Sequence, residues 1–257
     1  MSPEFVVSPF LPVFYIMMRV VTEESKAISN FSVILVGPQN PENIGLVARN
    51  MKNTGFKSLR IVKLEGLEQK SYKTAIHAHG ILDKTQFYSS LSEATSDLDL
   101  VFAATSKRRK NFHILSLKDA VGKMFEFPPS TKIGLLFGNE RTGLTSDELL
   151  SSNFRFAIPQ AGRQPSYNLA SAALLALFYI YTYRNLEEIK INRERPISRK
   201  EQEECLQLIL DKLKKKKFIH RTNRQHMTEM IYDLFGRLAM TSKDRKLLLA
   251  LFSKGID

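Results

Sequence analysis

The 257-residue sequence predicts an α/β domain with a mostly parallel sheet, followed by a small C-terminal helical module. Two observations carry this prediction. From Phe31 onwards, short β-rich runs alternate with helical stretches, as they do when crossover helices join parallel strands. Near the C-terminus the strand-like runs stop, and three helical stretches follow a charged segment. We therefore predict an N-terminal arm, a main domain, a linker and a basic helical module over residues 1–29, 30–186, 187–197 and 198–257.

The predicted strands are short runs rich in apolar and β-branched residues: Ser32–Gly37, Leu59–Lys63, Asp99–Ala104, Lys132–Phe137 and Arg155–Ile158. The helices predicted between them are Glu42–Thr54, Tyr72–Ala78, Ser92–Ser96 and Leu117–Phe125. Gly55 suits the end of the first helix, because glycine readily adopts the left-handed conformation that ends many helices.

A long helix is predicted at Asn168–Tyr183, where the sequence is apolar on most sides. Such a helix must be buried nearly all round, so a subunit interface is expected. The run is short for a membrane span, and no membrane partner is expected.

In the C-terminal module, Ser198 and Glu201 form a capping-box pattern. The three helices expected there cover residues 199–216, 223–236 and 242–253.

The N-terminal segment Phe5–Val21 is apolar, but Pro9 and Pro12 interrupt it. No basic stretch precedes it, and no small-residue cleavage site follows, so neither a signal peptide nor a spanning helix is expected. Two explanations stay open. Either translation starts at Met17 or Met18, or the segment is a disordered or partner-covered arm.

The formal net charge of +12 is partly concentrated in residues 198–257, which hold 14 Lys or Arg against 8 Asp or Glu. This surplus favours a polyanionic partner, because each cation that neutralises a phosphate releases counterions. Solubility is the alternative interpretation of the charge. The single cysteine, Cys205, excludes an intramolecular disulfide and fits a cytoplasmic location.

Three polar segments follow predicted strands at their carboxyl ends, where open α/β sheets bind ligands. They are Pro38–Arg49, Leu136–Leu144 and Ile158–Ala170. In the second segment, Gly138 and Gly143 allow a close backbone approach or a positive φ angle. A fourth, weaker segment is Ala104–Lys110, which combines hydroxyl groups with four cations.

Each segment also has an ordinary structural interpretation. In this interpretation Asn43 caps a helix and Arg49 is an ordinary surface arginine. Glu140 belongs to a polar turn that contains a salt bridge. Ser166 and Asn168 are natural cap residues. The fourth segment is either a solvated basic turn or a contact for RNA phosphates.

Several classes of site are disfavoured. The sequence has no GxGxxG or GKS/T phosphate loop, which argues against an ordinary dehydrogenase or a P-loop NTPase. His77 and His79 have no further ligands at metal-binding spacing, so no metal site is expected. Cys205 lies among the charged C-terminal helices, which argues against a Cys–His nucleophile.

The three polar segments together resemble the SPOUT superfamily, in the SpoU–TrmH branch of RNA 2′-O-ribose methyltransferases. Asn43–Arg49 (NIGLVAR) is similar to the first motif of that branch, and Leu135–Leu144 (LLFGNERTGL) is similar to the second. Ile158–Ala172 (IPQAGRQPSYNLASA) is similar to the third. All three occur in the expected order within residues 31–183.

This resemblance implies a SPOUT fold with a C-terminal deep trefoil knot, in which the chain around residues 135–183 threads a loop. It also implies a homodimer, with the apolar helix packed against the partner subunit. The implied cofactor is S-adenosyl-L-methionine, which leaves as S-adenosylhomocysteine, and no metal is required. The implied macromolecular partner is RNA.

The helical module and the Thr105–Ser106 pair resemble one subgroup, the bacterial tRNA enzymes that methylate the ribose of cytidine or uridine 32 in the anticodon loop. The expected function is therefore methyl transfer to a tRNA ribose 2′-hydroxyl. The chain departs from the subgroup at Tyr167, where relatives often carry leucine, and in its N-terminal arm.

The resemblance implies roles for individual residues. Arg49 would act as the base or would position the reacting groups, and Asn43 and Glu140 would orient it. Ser166 and Asn168 would complete the catalytic set. The implied cofactor-binding residues are Thr105, Ser106, Lys107, Gly138, Ile158, Pro165, Ser166, Tyr167 and Asn168.

Three other functions stay open. The catalytic segments do not distinguish tRNA from ribosomal RNA, or nucleotide 32 from another tRNA nucleotide. A non-catalytic RNA-binding protein could keep the same fold. A small-molecule α/β enzyme is disfavoured by the positive charge and by the missing phosphate loops.

Overall fold

The structure, a computed structural model, describes residues 28–106, 112–161, 166–186, 194–220 and 224–254. The strands in these residues are β1 (Ile28–Val36), β2 (Phe56–Val62), β3 (Gln86–Tyr88), β4 (Leu100–Ala104), β5 (Ile114–Ser116), β6 (Ile133–Phe137) and β7 (Phe154–Ala157). They form one sheet in the order β3-β2-β1-β6-β4-β7-β5, and each neighbouring pair is parallel. The predicted α/β domain with a largely parallel sheet is confirmed.

The helices of the first part of the chain connect the strands. They are α1 (Pro41–Thr54), α2 (Gln69–Ala75), α3 (His79–Leu82), α4 (Leu91–Thr95), α5 (Leu117–Phe125) and α6 (Ser146–Leu150). The later helices are α7 (Leu169–Leu186), α8 (Arg199–Lys215), α9 (Arg224–Arg237) and α10 (Ser242–Lys254). The predicted caps occur as expected: Gly55 ends α1 with a φ of 81°, and Ser198 with Glu201 forms a capping box on α8.

The central strand β1 illustrates how the sheet is buried on both faces. Val33 and Leu35 belong to an apolar cluster that includes residues of α1, α5 and α7. Ile34 and Val36 face the opposite way, into a cluster with residues of α4 and α6. Successive side chains of a strand point to opposite faces, so a strand covered on both faces is apolar throughout. This is why the sequence shows short apolar runs instead of alternation.

The structure differs from one local prediction and contains several short elements that were not predicted. The helix expected at Tyr72–Ala78 is an α-helix over Gln69–Ala75 followed by a 3₁₀ helix over Ile76–Ala78, and the α-helix stops where Ile76 has a φ of 54°, a positive value that is unusual for a β-branched residue. The strands β3 and β5 were not predicted, since each has three residues and lies at an edge of the sheet. The short helix α6 was also not predicted.

Gly45 fixes the position of α1 on the rest of the domain. A Cβ atom at this residue would lie 2.1 Å from both the Ser71 carbonyl oxygen and the Thr74 hydroxyl oxygen. The Thr74 hydroxyl in turn donates a 3.0 Å hydrogen bond to the carbonyl of Glu42. Glycine is therefore required for α1 and α2 to pack at this distance, and this packing helps to hold the beginning of α1 at the carboxyl edge of the sheet.

The C-terminal helices have an apolar cluster of their own, to which α8 contributes Leu206 and Ile209 and α9 contributes Ile231 and Phe235. The chain leads into it through Ile197, whose amide donates a 2.8 Å hydrogen bond to the carbonyl of Met240. Of the predicted linker, residues 187–193 lie outside the described residues, as do residues 1–27 of the predicted N-terminal arm. The domain boundaries stay a prediction.

Buried polar contacts attach these helices to the sheet. The Arg155 side chain of β7 is 0% exposed and donates a 2.8 Å hydrogen bond to the Asp233 carboxylate of α9. The Asn153 amide donates to the Gln202 side chain and to the carbonyl of Gly236, both at 3.1 Å. Burial lowers the pKa of Arg155 to about 10, although Asp233 opposes this shift. Because an unpaired buried charge is costly, the helices and the sheet depend on each other.

Candidate functional site

A cavity of about 270 Å³ lies at the carboxyl end of the sheet. The segments after β4, β6 and β7 line it together with the beginning of α7. Six of the predicted cofactor-binding residues contribute to this lining: Thr105, Ser106, Gly138, Ile158, Ser166 and Tyr167. Two others, Lys107 and Pro165, lie outside the described residues, and the ninth, Asn168, does not line the cavity, because its side chain bonds to Asn43 and to the Ala170 amide. The cavity therefore joins segments that are distributed between residues 104 and 172 of the sequence.

The lining of the cavity is apolar in one part and polar in another. Phe137, Leu144 and Leu169 contribute apolar side chains, and all three are buried. Glu140 and Gln160 contribute polar groups. This combination suits a ligand with a flat apolar ring and a polar or charged end, because apolar surface supplies affinity and a few polar groups fix the orientation.

The Glu140 carboxylate connects the segment after β6 to the beginning of α1. It accepts hydrogen bonds from the backbone amides of Gln39 and Asn40, at 2.9 and 3.2 Å. It also accepts a 2.8 Å hydrogen bond from the side-chain amide of Asn43. Since a helix amino terminus carries unpaired N–H groups and a partial positive charge, a carboxylate is well placed there.

These hydrogen bonds also determine the ionisation of Glu140. Partial burial alone would raise its pKa, because burial disfavours the charged form. The hydrogen bonds from Asn43 and from the backbone of Gln39 and Asn40 outweigh this effect, and the pKa of Glu140 lies below its ordinary value. Glu140 is therefore an anion at neutral pH and acts as a hydrogen-bond acceptor.

Asn43 links Glu140 to the segment before α7. While its amide donates to Glu140, its carbonyl oxygen accepts a 3.1 Å hydrogen bond from the Asn168 side chain. The Asn168 oxygen accepts a 2.9 Å hydrogen bond from the backbone amide of Ala170, in the first turn of α7. Both interpretations of Asn168 are thus compatible with the structure, since it caps a helix and also connects two of the polar segments.

Arg49 lies on the exposed side of α1 and does not line the cavity. Among the described residues, no hydrogen bond or ion pair joins Arg49 to Asn43 or Glu140. The buried side of the same helix carries Ile44, Val47 and other apolar residues. The structure therefore brings Asn43, Glu140 and Asn168 together within one protomer, and it leaves the guanidinium group of Arg49 facing outward.

The two glycines after β6 have different roles. A Cβ atom on Gly138 would lie 2.3 Å from the carbonyl carbon of Gly143, so this residue permits a close backbone approach. Gly143 itself has a φ of 68°, which glycine adopts without strain. Between them, the Asn139 side chain accepts hydrogen bonds from the amides of Arg141 and Thr142, at 3.1 and 2.8 Å. The turn is therefore rigid enough to form one wall of the cavity.

Some residues of the site were not predicted from the sequence. The backbone amides of Gln39 and Asn40 contact Glu140, whereas the prediction for that segment involved its side chains alone. Arg141 and Gln160 also line the cavity, and both lie inside the polar segments. The signal that could have found them is their position directly after strands of a parallel sheet.

Residues 30–178 match the SpoU rRNA Methylase family, a span of more than half of the chain. The chain belongs to this family. The three motif-like segments all lie inside the matched span, and the predictions of a SpoU-branch protein and of a methyltransferase are confirmed.

One relative and two solved structures add detail to the SpoU assignment. TrmJ of Methanocaldococcus jannaschii, a tRNA (cytidine-2′-O-)-methyltransferase, is 32% identical over 214 residues, which is 80% of this chain and 90% of that protein. The crystal structure of TrmJ from Z. mobilis ZM4 has a TM-score of 0.74 at 24% identity, covering 86% of this chain and 97% of that one. The SpoU methyltransferase AviRb from Streptomyces viridochromogenes, solved with AdoMet, has a TM-score of 0.50 at 21% identity, covering 62% of this chain and 60% of that one. Both structures support the SpoU fold.

Two further features of this SpoU chain concern membranes and metals. Within the described ranges, none of the helices combines the length and apolar character that a membrane span requires. In the same ranges, no three His, Cys, Asp or Glu side chains are grouped so that they could hold a metal ion.

Proposed function

We propose that this chain uses S-adenosylmethionine to methylate a ribose 2′-hydroxyl of tRNA. The observation that carries the proposal is the cavity that the segments after β4, β6 and β7 line together, in a chain of the SpoU family. The related TrmJ of M. jannaschii, named as a tRNA (cytidine-2′-O-)-methyltransferase, supports tRNA as the substrate. The finer assignment is to nucleotide 32 of the anticodon loop of a cytoplasmic tRNA. It rests on the resemblance of this chain to the subgroup of bacterial tRNA enzymes that methylate this nucleotide.

The residues of the cavity fit this cofactor. The apolar side chains of Phe137, Leu144 and Leu169 would cover the adenine ring. Backbone groups near Thr105 and Ile158 would bind the polar edges of the adenosine and methionine parts. When it is bound, the sulfonium group supplies a methyl carbon that is already electrophilic. The protein then has to orient the ribose hydroxyl and assist the departure of its proton.

We assign this second task to Arg49. An arginine side chain stays protonated in proteins, so we assign Arg49 a positioning and charge-stabilising role instead of the role of a base. Bound S-adenosylmethionine would supply the methyl group to the 2′-oxygen and would leave as S-adenosylhomocysteine, which keeps the electron pair of the broken carbon–sulfur bond. The hydroxyl proton leaves to an RNA phosphate or to water, while the guanidinium group holds the ribose and its adjoining phosphate. Asn43, Glu140 and Asn168 would support the segments around this site, and Ser166 would face it.

We also propose a homodimer in which Arg49 of one protomer reaches the cavity of the other. Arg49 is exposed, as is Leu46 one turn before it on α1. The neighbouring helix α7 exposes Leu174, Leu175 and Phe178 on one side, and α1 is bonded to it through Asn50, which donates a 3.0 Å hydrogen bond to the Ala170 carbonyl. An exposed apolar face of this kind is typical of a subunit contact.

The basic C-terminal helices are proposed to bind the tRNA backbone. Lys215, Lys216 and Lys217 are exposed at the end of α8, and exposed cations of this kind bind phosphates without reading the base sequence.

We further propose that the chain around residues 135–183 forms the deep trefoil knot of SPOUT enzymes. Support for the knot comes from the strand order, in which β6 lies between β1 and β4. An experimental structure with an unthreaded chain would contradict it.

The proposed activity is tested by incubating the purified chain with total tRNA, or with ribosomal RNA, and methyl-labelled S-adenosylmethionine. Nucleoside mapping should then find the label as a 2′-O-methylated ribose in tRNA, at nucleotide 32 of the anticodon loop. Label that appears only in ribosomal RNA would replace the tRNA assignment. If neither RNA is labelled although the cofactor binds, a non-catalytic role would be favoured.

A further inference from the structure

Tyr167 joins the two sides of the proposed cofactor cavity. Its hydroxyl donates a 2.9 Å hydrogen bond to the carbonyl oxygen of Pro159. Pro159 lies just after β7, between Ile158 and Gln160, which both line the cavity. Tyr167 itself lines the other side together with Ser166. One hydrogen bond therefore connects the segment that leaves the sheet with the segment that enters α7.

The two connected segments are each fixed at their far ends. On the side of the sheet, β7 is bonded to the segment after β4, because the Thr105 amide donates a 2.9 Å hydrogen bond to the Phe156 carbonyl. On the side of the helix, Asn168 caps α7 through its 2.9 Å hydrogen bond from Ala170. The Tyr167 hydrogen bond is thus a tie between two anchored segments.

We propose that Tyr167 is a positioning residue that sets the affinity for the cofactor by ordering these two walls before it binds. This inference rests on the proposed function, since it takes the cavity to be the cofactor site. Ordering a segment at the moment of binding weakens affinity, and a tie that exists beforehand removes part of that cost.

The exposure of Tyr167 separates this role from a contribution to overall stability. Its side chain is 41% exposed, and its hydrogen bond joins two neutral groups near solvent. Such a bond adds little to the net stability of a folded protein. Its loss should therefore change the two walls of the cavity while the melting temperature stays nearly constant.

The test compares Tyr167→Phe with Tyr88→Phe in the full-length chain. The control removes a hydroxyl that donates a 3.2 Å hydrogen bond to Gln86, on the edge strand β3. Calorimetric titration with S-adenosylhomocysteine should give binding about three- to tenfold weaker for Tyr167→Phe, which is the effect expected from one net hydrogen bond. Tyr88→Phe should stay within about twofold of the wild type. In steady-state assays, Tyr167→Phe should raise KM for the cofactor more than it lowers kcat.

The outcomes distinguish this inference from the proposed function. If the wild type binds S-adenosylhomocysteine and Tyr167→Phe binds it equally well, the inference is overturned and the proposed function stands. Equally weakened binding of S-adenosylhomocysteine in Tyr167→Phe and Tyr88→Phe would also overturn it. A fall in the melting temperature of Tyr167→Phe that is large enough to account for its weaker binding would do the same. If the wild-type chain does not bind S-adenosylhomocysteine, the proposed function itself fails.

Discussion

Asn43 and Glu140 lie 97 positions apart in the chain, and the Asn43 side-chain amide donates a 2.8 Å hydrogen bond to the Glu140 carboxylate. The backbone amides of Gln39 and Asn40 bond to the same carboxylate. The segment after β6 is thereby held against the beginning of α1, the helix that carries Arg49. This relationship connects the wall of the cavity with the residue that we propose to position the ribose.

Replacement of the Glu140 carboxylate by an amide should weaken this connection. In Glu140→Gln the side chain keeps its size, but its NH₂ group replaces one of two oxygens that accept hydrogen bonds. We expect the free energy of unfolding at pH 7 to fall by about 1–2 kcal/mol, as for the loss of hydrogen bonds to a charged acceptor. Urea denaturation measures this change. Glu65→Gln, an exposed site, is the control and should differ little from the wild type.

Acid should change the free energy of unfolding of the wild type and of Glu140→Gln by different amounts. The pKa of Glu140 is lowered in the folded state, mainly because the hydrogen bonds from Asn43, Gln39 and Asn40 outweigh the opposing effect of burial. A lowered folded-state pKa adds stability above the unfolded value, about 4.3 for glutamate, and this stability is lost as pH falls through the folded-state value. The advantage of the wild type over Glu140→Gln should therefore be constant near neutral pH and shrink below about pH 4. A difference in the free energy of unfolding between the two proteins that stays constant down to about pH 3 would contradict the hydrogen bonding that we assign to the Glu140 carboxylate.

Much of this site follows from the order of strands and polar segments. The sequence places Leu136–Leu144 and Ile158–Ala170 after strands, and a parallel sheet brings such ends to one edge. The contact between Asn43 and Glu140 could not be predicted from periodicity, because it depends on β6 lying beside β1 in the sheet. The outward position of Arg49 follows from helix geometry, since it lies six residues after Asn43, or about 120° around the axis.

Gly45 offers a test of how strongly the position of α1 depends on helix packing. In Gly45→Ala the new methyl group would lie 2.1 Å from the Ser71 carbonyl oxygen, and α1 would have to move. We expect the free energy of unfolding to fall by about 3 kcal/mol. Gly80→Ala is a matched control in α3, where a Cβ atom would meet nothing within 4 Å. This control should be neutral or slightly stabilising, because alanine favours a helix over glycine by up to about 1 kcal/mol. Equal destabilisation of the two variants would contradict the packing argument.

The basic C-terminal helices should be tested by removing charge, since deletion would uncover Arg155 and Asn153. The triple variant Lys215→Ala, Lys216→Ala and Lys217→Ala should bind tRNA more weakly. Its affinity should also depend less on salt, with a logarithmic slope that is shallower by about 0.7–0.9 for each phosphate that the lysines no longer neutralise. Filter binding at several salt concentrations measures both quantities. The control triple variant, with Lys57→Ala, Lys84→Ala and Lys118→Ala, removes the same charge from exposed sites elsewhere. An equal slope in the two variants would contradict the RNA-binding role of α8.

The proposed subunit contact depends on the exposed face of α7. Phe178 is 54% exposed in the protomer, so Phe178→Asp should not disturb the core. Burial of a charge in an apolar contact is unfavourable, and the variant should therefore be a monomer with little methyltransferase activity. Light scattering coupled to size-exclusion chromatography measures the mass. Phe87→Asp, on the edge strand β3, is the control and should keep the wild-type mass. A wild-type chain that is monomeric and fully active would contradict the dimer.

The C-terminal helices differ from the site in what their sequence predicts. Their bounds were predicted within one or two residues, because caps and helical patterns are local signals. Their attachment to the sheet was not predicted. The charged pair of Arg155 and Asp233 looks like two ordinary surface residues in the sequence, and only the fold shows that both are largely buried. Ile76 is a similar case, since no local signal indicates a positive φ angle for a β-branched residue.

The most direct test of the central claim is single-turnover methylation of tRNA by Arg49→Ala, with labelled cofactor at saturating concentration. Arg49 does not line the cavity of its own protomer, and in the partner's cavity it is proposed to hold the ribose and not the cofactor, so the variant should bind S-adenosylhomocysteine nearly as well as the wild type. Its rate of methyl transfer to the ribose should fall by about 10²-fold or more, the contribution typical of a group that assists proton transfer. A rate within a few-fold of the wild type would contradict the role of Arg49 and with it the proposed arrangement of the active site.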